Sequence, residues 1–133
     1  MRGPRIVHVV VAGEMGGAER VALDLARHAG DTGATASIAL VTSSDEVAAA
    51  FAKSGVRIHP GGRTRETPIS YLWNAFGPSH VSWLAEVLRG ERATVAHLHT
   101  FASQVVGTRA ALRAGAAVLR TEHSSRVYTT SSC

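Results

Sequence analysis

The sequence predicts an α/β fold, a Rossmann-like open sheet of parallel strands, and three observations predict it. Segments of strand and helix pattern alternate along the chain as β-α-β-α-β-α-β-α-β. The first strand candidate, Arg5 to Ala12, is a near-continuous apolar run, the pattern of a strand buried on both faces. The composition, 45% hydrophobic and 18% charged over 133 residues with a mean hydropathy of +0.07, suits one globular domain and argues against disorder.

The elements follow in order. After the first strand, Gly13 to Gly17 forms a glycine-containing turn. Ala18 to Ala29 carries apolar residues at Val21, Ala22, Leu25, Ala26 and Ala29, the spacing of an amphipathic helix. Gly30 and Gly33 flank a turn, and Ala34 to Val41 is the second strand. Thr42, Ser43 and Ser44 offer caps to an alanine-rich helix over Asp45 to Lys53, which Gly55 stops. Val56 to His59 is a short third strand, and Pro60 to Pro68 reads as a polar loop. Ile69 to Phe76 is helical or irregular, and Pro78 opens a stronger helix to Arg89. Ala93 to Leu98 is the fourth strand, and Thr100 or Phe101 begins a helix to Arg113, stopped by Gly115. Ala116 to Arg120 is the fifth strand, with Thr121 to Ser125 as the loop at its carboxyl end. Right-handed crossovers give the strand order 3-2-1-4-5. Ligands of such sheets bind outside the carboxyl ends of the strands, here at the switch point between strands 1 and 4.

Composition narrows the function classes. The single cysteine, Cys133, is the last residue, which excludes an internal disulfide framework and a thiolate-rich metal site. No run reaches the roughly 18 apolar residues of a membrane span, and the start lacks the form of a secretory signal. A soluble, cytoplasmic domain is expected. Residues 1–60 hold six charges of each sign, whereas residues 61–133 hold eight Arg against four acids, the whole net excess of +4. So small an excess is a weak nucleic-acid signal and fits equally well with a site for phosphate or carboxylate groups; no nucleic-acid partner is expected.

Four carboxyl-end sequences carry residues suited to chemistry. Gly13-Glu14-Met15-Gly16-Gly17-Ala18-Glu19-Arg20 follows a strand and opens a helix. Glycines there let a ligand approach the backbone, and unpaired N–H groups of a helix start attract anions. The spacing is neither the dinucleotide fingerprint nor a P-loop, and no acid ends strand 2 to hold a ribose. The plainer reading is a tight turn with Glu19 and Arg20 as first-turn solvent residues. His97 and His99 end strand 4, and alternation puts them on one side. Two imidazoles fall short of a metal site, and no carboxylate pair is near in sequence, so hydrogen bonding or acid–base work is the more economical role. Glu122 and His123 follow strand 5 and are expected beside them. A serine nucleophile is disfavoured, because no G-x-S-x-G elbow is present. Arg63 and Arg65, in the loop after strand 3, could grip an anionic substrate group, although a plain solvated loop is the simpler reading. Trp73, Phe76 and Trp83 read as packing residues.

The chain resembles the N-terminal domain of GT-B fold glycosyltransferases of the retaining family 4 group. The resemblance rests on Gly16-Gly17-Ala18-Glu19-Arg20 after a strand, the helix Val21-Ala22-Leu23-Asp24-Leu25-Ala26, His97-Leu98-His99, and Thr121-Glu122-His123, in that order. It implies two facing Rossmann-like domains, of which residues 1–133 supply the acceptor side, incomplete after strand 5, with the C-terminal donor-binding domain absent. It further implies that Gly16 and Gly17 approach the phosphates of a nucleotide-sugar co-substrate. His99 or His123 would lie near the transferred sugar as the catalytic-site histidines, with His97 and Glu122 behind them in the cleft and Arg63 and Arg65 toward the acceptor. No metal and no cofactor is called for. The acceptor is a glycan, a lipid-linked sugar or a small polyol, and a lipid acceptor would bring peripheral membrane contact. The expected function is a fragment of a retaining transferase, inactive alone, because half a cleft cannot align donor and acceptor. The alternatives are a Rossmann-type nucleotide-binding or oxidoreductase fragment and a non-catalytic α/β module. The first lacks a Tyr with Lys four residues on, since Tyr71 precedes Ala75 and Tyr128 precedes Ser132. The second lacks an Asp at the end of strand 1.

Overall fold

The computed structural model describes residues 3–12, 17–43, 45–63, 78–99 and 101–121. Within them the order is β1 (Arg5–Ala12), α1 (Gly17–His28), a 3-10 turn (Ala29–Thr32), β2 (Thr35–Ser43), α2 (Asp45–Ala52), β3 (Ile58–Arg63), α3 (Pro78–Gly90), β4 (Val95–Leu98), α4 (Phe101–Ala114) and β5 (Ala117–Arg120). The sheet order is β3-β2-β1-β4-β5 with every pairing parallel, as the alternating pattern predicts. The segment 69–76 lies outside the described residues.

β1 is central because its side chains are apolar in both directions, with one exception. Val7 and Val9 join Ala39, Val41, Ala96 and Leu98 on one face, covered by Val81, Leu84 and Leu88 of α3 and Val106 and Ala110 of α4. Val10 joins Ile38 and Leu40 on the other, covered by Ala22 and Leu23 of α1 and Val47 and Phe51 of α2. Period-2 alternation therefore assigns His8, between Val7 and Val9, to the second face. The α1 stripe differs from the predicted one. Leu23 is seated in the core, whereas Val21 and Leu25 are 37% and 43% exposed. The buried arc is centred on Ala22, Leu23 and Ala26, a rotation that a 3.6-residue period permits without changing the helix.

β3 departs most from expectation. Pro60-Gly61-Gly62-Arg63 has the composition of a loop, yet Pro60 pairs with Leu40, Gly62 with Thr42 and Arg63 with Ser43. Arg63 thus ends a strand rather than lying in a loop. An edge strand tolerates proline where its missing N–H would face solvent. Gly61 fits because any Cβ would fall 2.3 Å from the Val41 carbonyl oxygen of β2. Pairing to a well-formed neighbour overrides the local propensity. At the other edge, every residue of β5 is exposed.

Candidate functional site

Parallel strands turn all their carboxyl ends to one side of the sheet, and β1 and β4 are adjacent there. α1 starts at Gly17 beyond β1, and α4 starts at Phe101 beyond β4. His8 and His97 are register partners across β1 and β4, so both side chains leave the sheet on the same face. His99 extends that pattern past the end of β4, its N–H donating to the Val9 carbonyl at 3.3 Å. The expectation that His97 and His99 share one side holds: their rings stack with centroids 4.0 Å apart. The His8 ring lies 5.1 Å from each.

This three-imidazole cluster is dry. His8, His97 and His99 are 2%, 7% and 1% exposed. Buried polar groups need partners, and these have them. His8 Nδ1 lies 2.9 Å from His99 Nε2. His97 Nε2 is hydrogen-bonded to the Thr121 hydroxyl just past β5. Burial first, and the neighbouring His97 second, push His8 down to about 4, so this imidazole is neutral at pH 7. One nitrogen from each ring lies within 4.8 Å of the others, and among the described residues this is a group with the span to hold a metal ion. His8 is the third imidazole, brought to His97 and His99 by the β1–β4 register. Its sequence signal was visible as the single titratable residue interrupting the apolar run of β1.

The other expected site residues divide. Gly17 begins α1, in the position a helix-start anion site requires. Arg63 closes β3 at the carboxyl edge, three strand positions from β4, about 15 Å at the usual strand spacing. Gly16, Arg65, Glu122 and His123 lie outside the described residues. Arg20 is exposed as a first-turn residue should be, but Glu19 is buried at 8% exposure rather than in solvent. Trp83 packs against the core, as expected of it. It also lines an open cavity of about 290 Å³ with Arg57, His59, Glu86 and Glu91. There Glu91 Oε1 lies 2.9 Å from both Arg57 Nε and His59 Nε2. That cavity sits at the amino end of β3, on the side of the sheet away from the histidines. No helix among the described residues is long and apolar enough to cross a membrane.

The family model described as Glycosyltransferase Family 4 matches residues 15–131. No curated protein sequence matches the chain. Among solved structures, a glycosyltransferase from Rickettsia africae superposes with a TM-score of 0.69 at 20% identity, over 98% of this chain and 32% of that one. HepE from Anabaena, solved with UDP and glucose, gives 0.66 at 17% identity, over 89% of this chain and 29% of its own. MurG from Acinetobacter baumannii gives 0.67 at 14% identity, over 97% and 38%. The chain thus spans about a third of the length of the solved structures it matches. At such identities the likeness establishes the fold, the Rossmann-like architecture of GT-B glycosyltransferases.

Proposed function

The chain belongs to glycosyltransferase family 4, and we propose that it forms the acceptor-side half of a transferase that moves a sugar from a nucleotide-sugar to an acceptor hydroxyl with retention of configuration. The observation that carries this reading is the meeting of two features at the β1–β4 switch point. One is a glycine-led helix start, and the other is a histidine at the end of β4. The first suits a diphosphate, because the leading N–H groups of a twelve-residue helix are unpaired within it and point along its positive end. Gly16 and Gly17 would let the phosphates approach the backbone. His99, and His123 from the loop after β5, would address the transferred sugar, with His97 and Glu122 behind them. Arg63 and Arg65 would reach the acceptor, a glycan, a lipid-linked sugar or a small polyol.

The donor class is supported by HepE, a structural neighbour solved with UDP-glucose. A partner domain would supply the cations that neutralise the departing diphosphate and would close the cleft over donor and acceptor. On this reading the 133-residue chain is inactive alone, and no resident metal takes part in the transfer. An oxidoreductase reading has less support, since the carboxyl end of β2 reads Val41-Thr42-Ser43 and offers no acid to a ribose.

Calorimetric titration of UDP-, GDP- and ADP-sugars against this chain, and against a longer protein in which a donor-binding domain follows it, tests the proposal. Donor binding by the longer protein, with little or none by the chain alone, is the expected result. Tight, NAD-competitive binding by the 133-residue chain would overturn it.

A further inference from the structure

A histidine in the middle of a strand buried on both faces has to be explained. Position 8 lies between Val7 and Val9, faces Ile38 of β2 in register, and is 2% exposed. Valine or isoleucine there would continue the apolar run at no desolvation cost. An imidazole is tolerated only if its polar atoms are bonded. Among the described residues its side-chain bond runs to the Nε2 of His99, at 2.9 Å.

That contact constrains both rings. Two imidazole nitrogens form a hydrogen bond only when one carries a proton and the other does not. The protonation pattern of one ring therefore fixes that of the other. If His8 donates from Nδ1, His99 carries its own proton on Nδ1. If His99 donates from Nε2, its Nδ1 is an acceptor. In both cases Nε2 of His99 is held against β1, and a ligand at the end of β4 meets His99 through Nδ1 or the ring edge. Stacking on His97, itself tied to Thr121, restrains the plane of the ring.

We propose that His8 is a positioning residue for His99, holding its Nε2 against β1 and tying its tautomer to that of His8, so that the pair of rings together sets whether His99 presents a donor or an acceptor to the sugar hydroxyls at the switch point. The lock is a property of the cluster itself. Only its use on a sugar rests on the proposed function. A metal ion is the competing occupant of the same three rings. The observed geometry favours the lock, because two of the nitrogens face each other at hydrogen-bond distance and the third ring is bonded to Thr121.

Nuclear magnetic resonance of the 133-residue chain, labelled with ¹⁵N-histidine and held at pH 7.5 with EDTA, tests the lock without any sugar. The wild-type chain should show a nitrogen–nitrogen coupling between His99 Nε2 and His8 Nδ1, with one of the two nitrogens protonated and the other not. H8F should abolish the bond and shift the ring nitrogens of His99, and H8Q, whose amide can donate or accept, should restore a hydrogen-bonded Nε2. Absence of the cross-bond coupling in the wild type, which needs no variant to fold, overturns the proposal. So do unchanged ring-nitrogen shifts of His99 in a folded H8F. Stoichiometric Zn²⁺ uptake that shifts all three rings and is reversed by EDTA overturns it in favour of a metal site. In the longer protein, the affinity ratio of nucleotide-sugar to nucleoside diphosphate should fall in H8F and recover in H8Q. A merely structural role would lower both affinities together. Failure of any nucleotide-sugar to bind the wild-type longer protein would sink the transferase reading while leaving the spectroscopic result intact.

Discussion

Acid should unfold this protein through His8 before it reaches the carboxylates. In the unfolded chain His8 titrates at 6.5, and in the fold it is lowered to about 4 by burial and by His97. The sign follows from proton counting. Above pH 6.5 neither state protonates His8, and its contribution to stability is fully present. Between 6.5 and 4 the unfolded state binds a proton that the folded state refuses, so stability falls as pH falls. Below 4 both states bind it and the loss is complete. The shift is worth about 3 kcal/mol, a large share of the 5–15 kcal/mol by which domains are stable. At an m value of about 1.5 kcal/mol/M, the urea midpoint should drop by about 2 M between pH 7.5 and pH 4. His80, whose pKa burial also lowers, adds to the slope in the same direction. H8Q separates the two, since it removes the ionisable group at position 8 and leaves His80 in place. Urea titrations followed by circular dichroism, in EDTA, should give a shallower decline for H8Q than for the wild type over this window. Parallel declines would refute the reasoning, because they would place the acid sensitivity elsewhere.

The remaining predictions concern two glycines that pack rather than turn. In Gly107→Ala the new Cβ would fall 2.3 Å from Leu98 Cδ2, under α4. We expect thermal or urea denaturation to show a loss of about 1–3 kcal/mol despite the better helix propensity, with partial recovery in the double variant Gly107→Ala, Leu98→Val. In Gly61→Ala the clash is with the backbone oxygens of Val41 and Leu40, which cannot rotate away. It should cost more than Gly107→Ala, and amide hydrogen exchange should rise first along the β2–β3 pairing.

The fold was legible because its signals are local and repeated. The apolar run of β1 could only be a central strand, and each following helix carried a cap or a glycine stop, so topology followed from alternation and handedness. What was not legible depended on neighbours. Pro60 to Arg63 reads as a loop by composition and becomes a strand because β2 offers it an edge. The rotation of α1 that seats Leu23 and exposes Leu25 is chosen by the sheet beneath it, and nothing within the helix prefers one over the other.

The candidate site shows the same division more sharply. His97 and His99 were legible as a pair, since a period of two needs only one strand. His8 was not, because its importance depends on register: it stands 89 residues from His97, and only the parallel pairing of β1 with β4 makes them partners. Yet the sequence did hold a clue of a different kind. A titratable residue within an unbroken apolar strand is an exception that desolvation would remove unless something bonds it. Such an exception announces a partner without naming it. The strand order then restricts the candidates to side chains on β2 and β4 that face the same way, and among these the described imidazoles are His97 and, one step beyond the strand, His99. An anomaly in one strand thus leads, through topology, to a specific contact at the place where a ligand of this fold would lie.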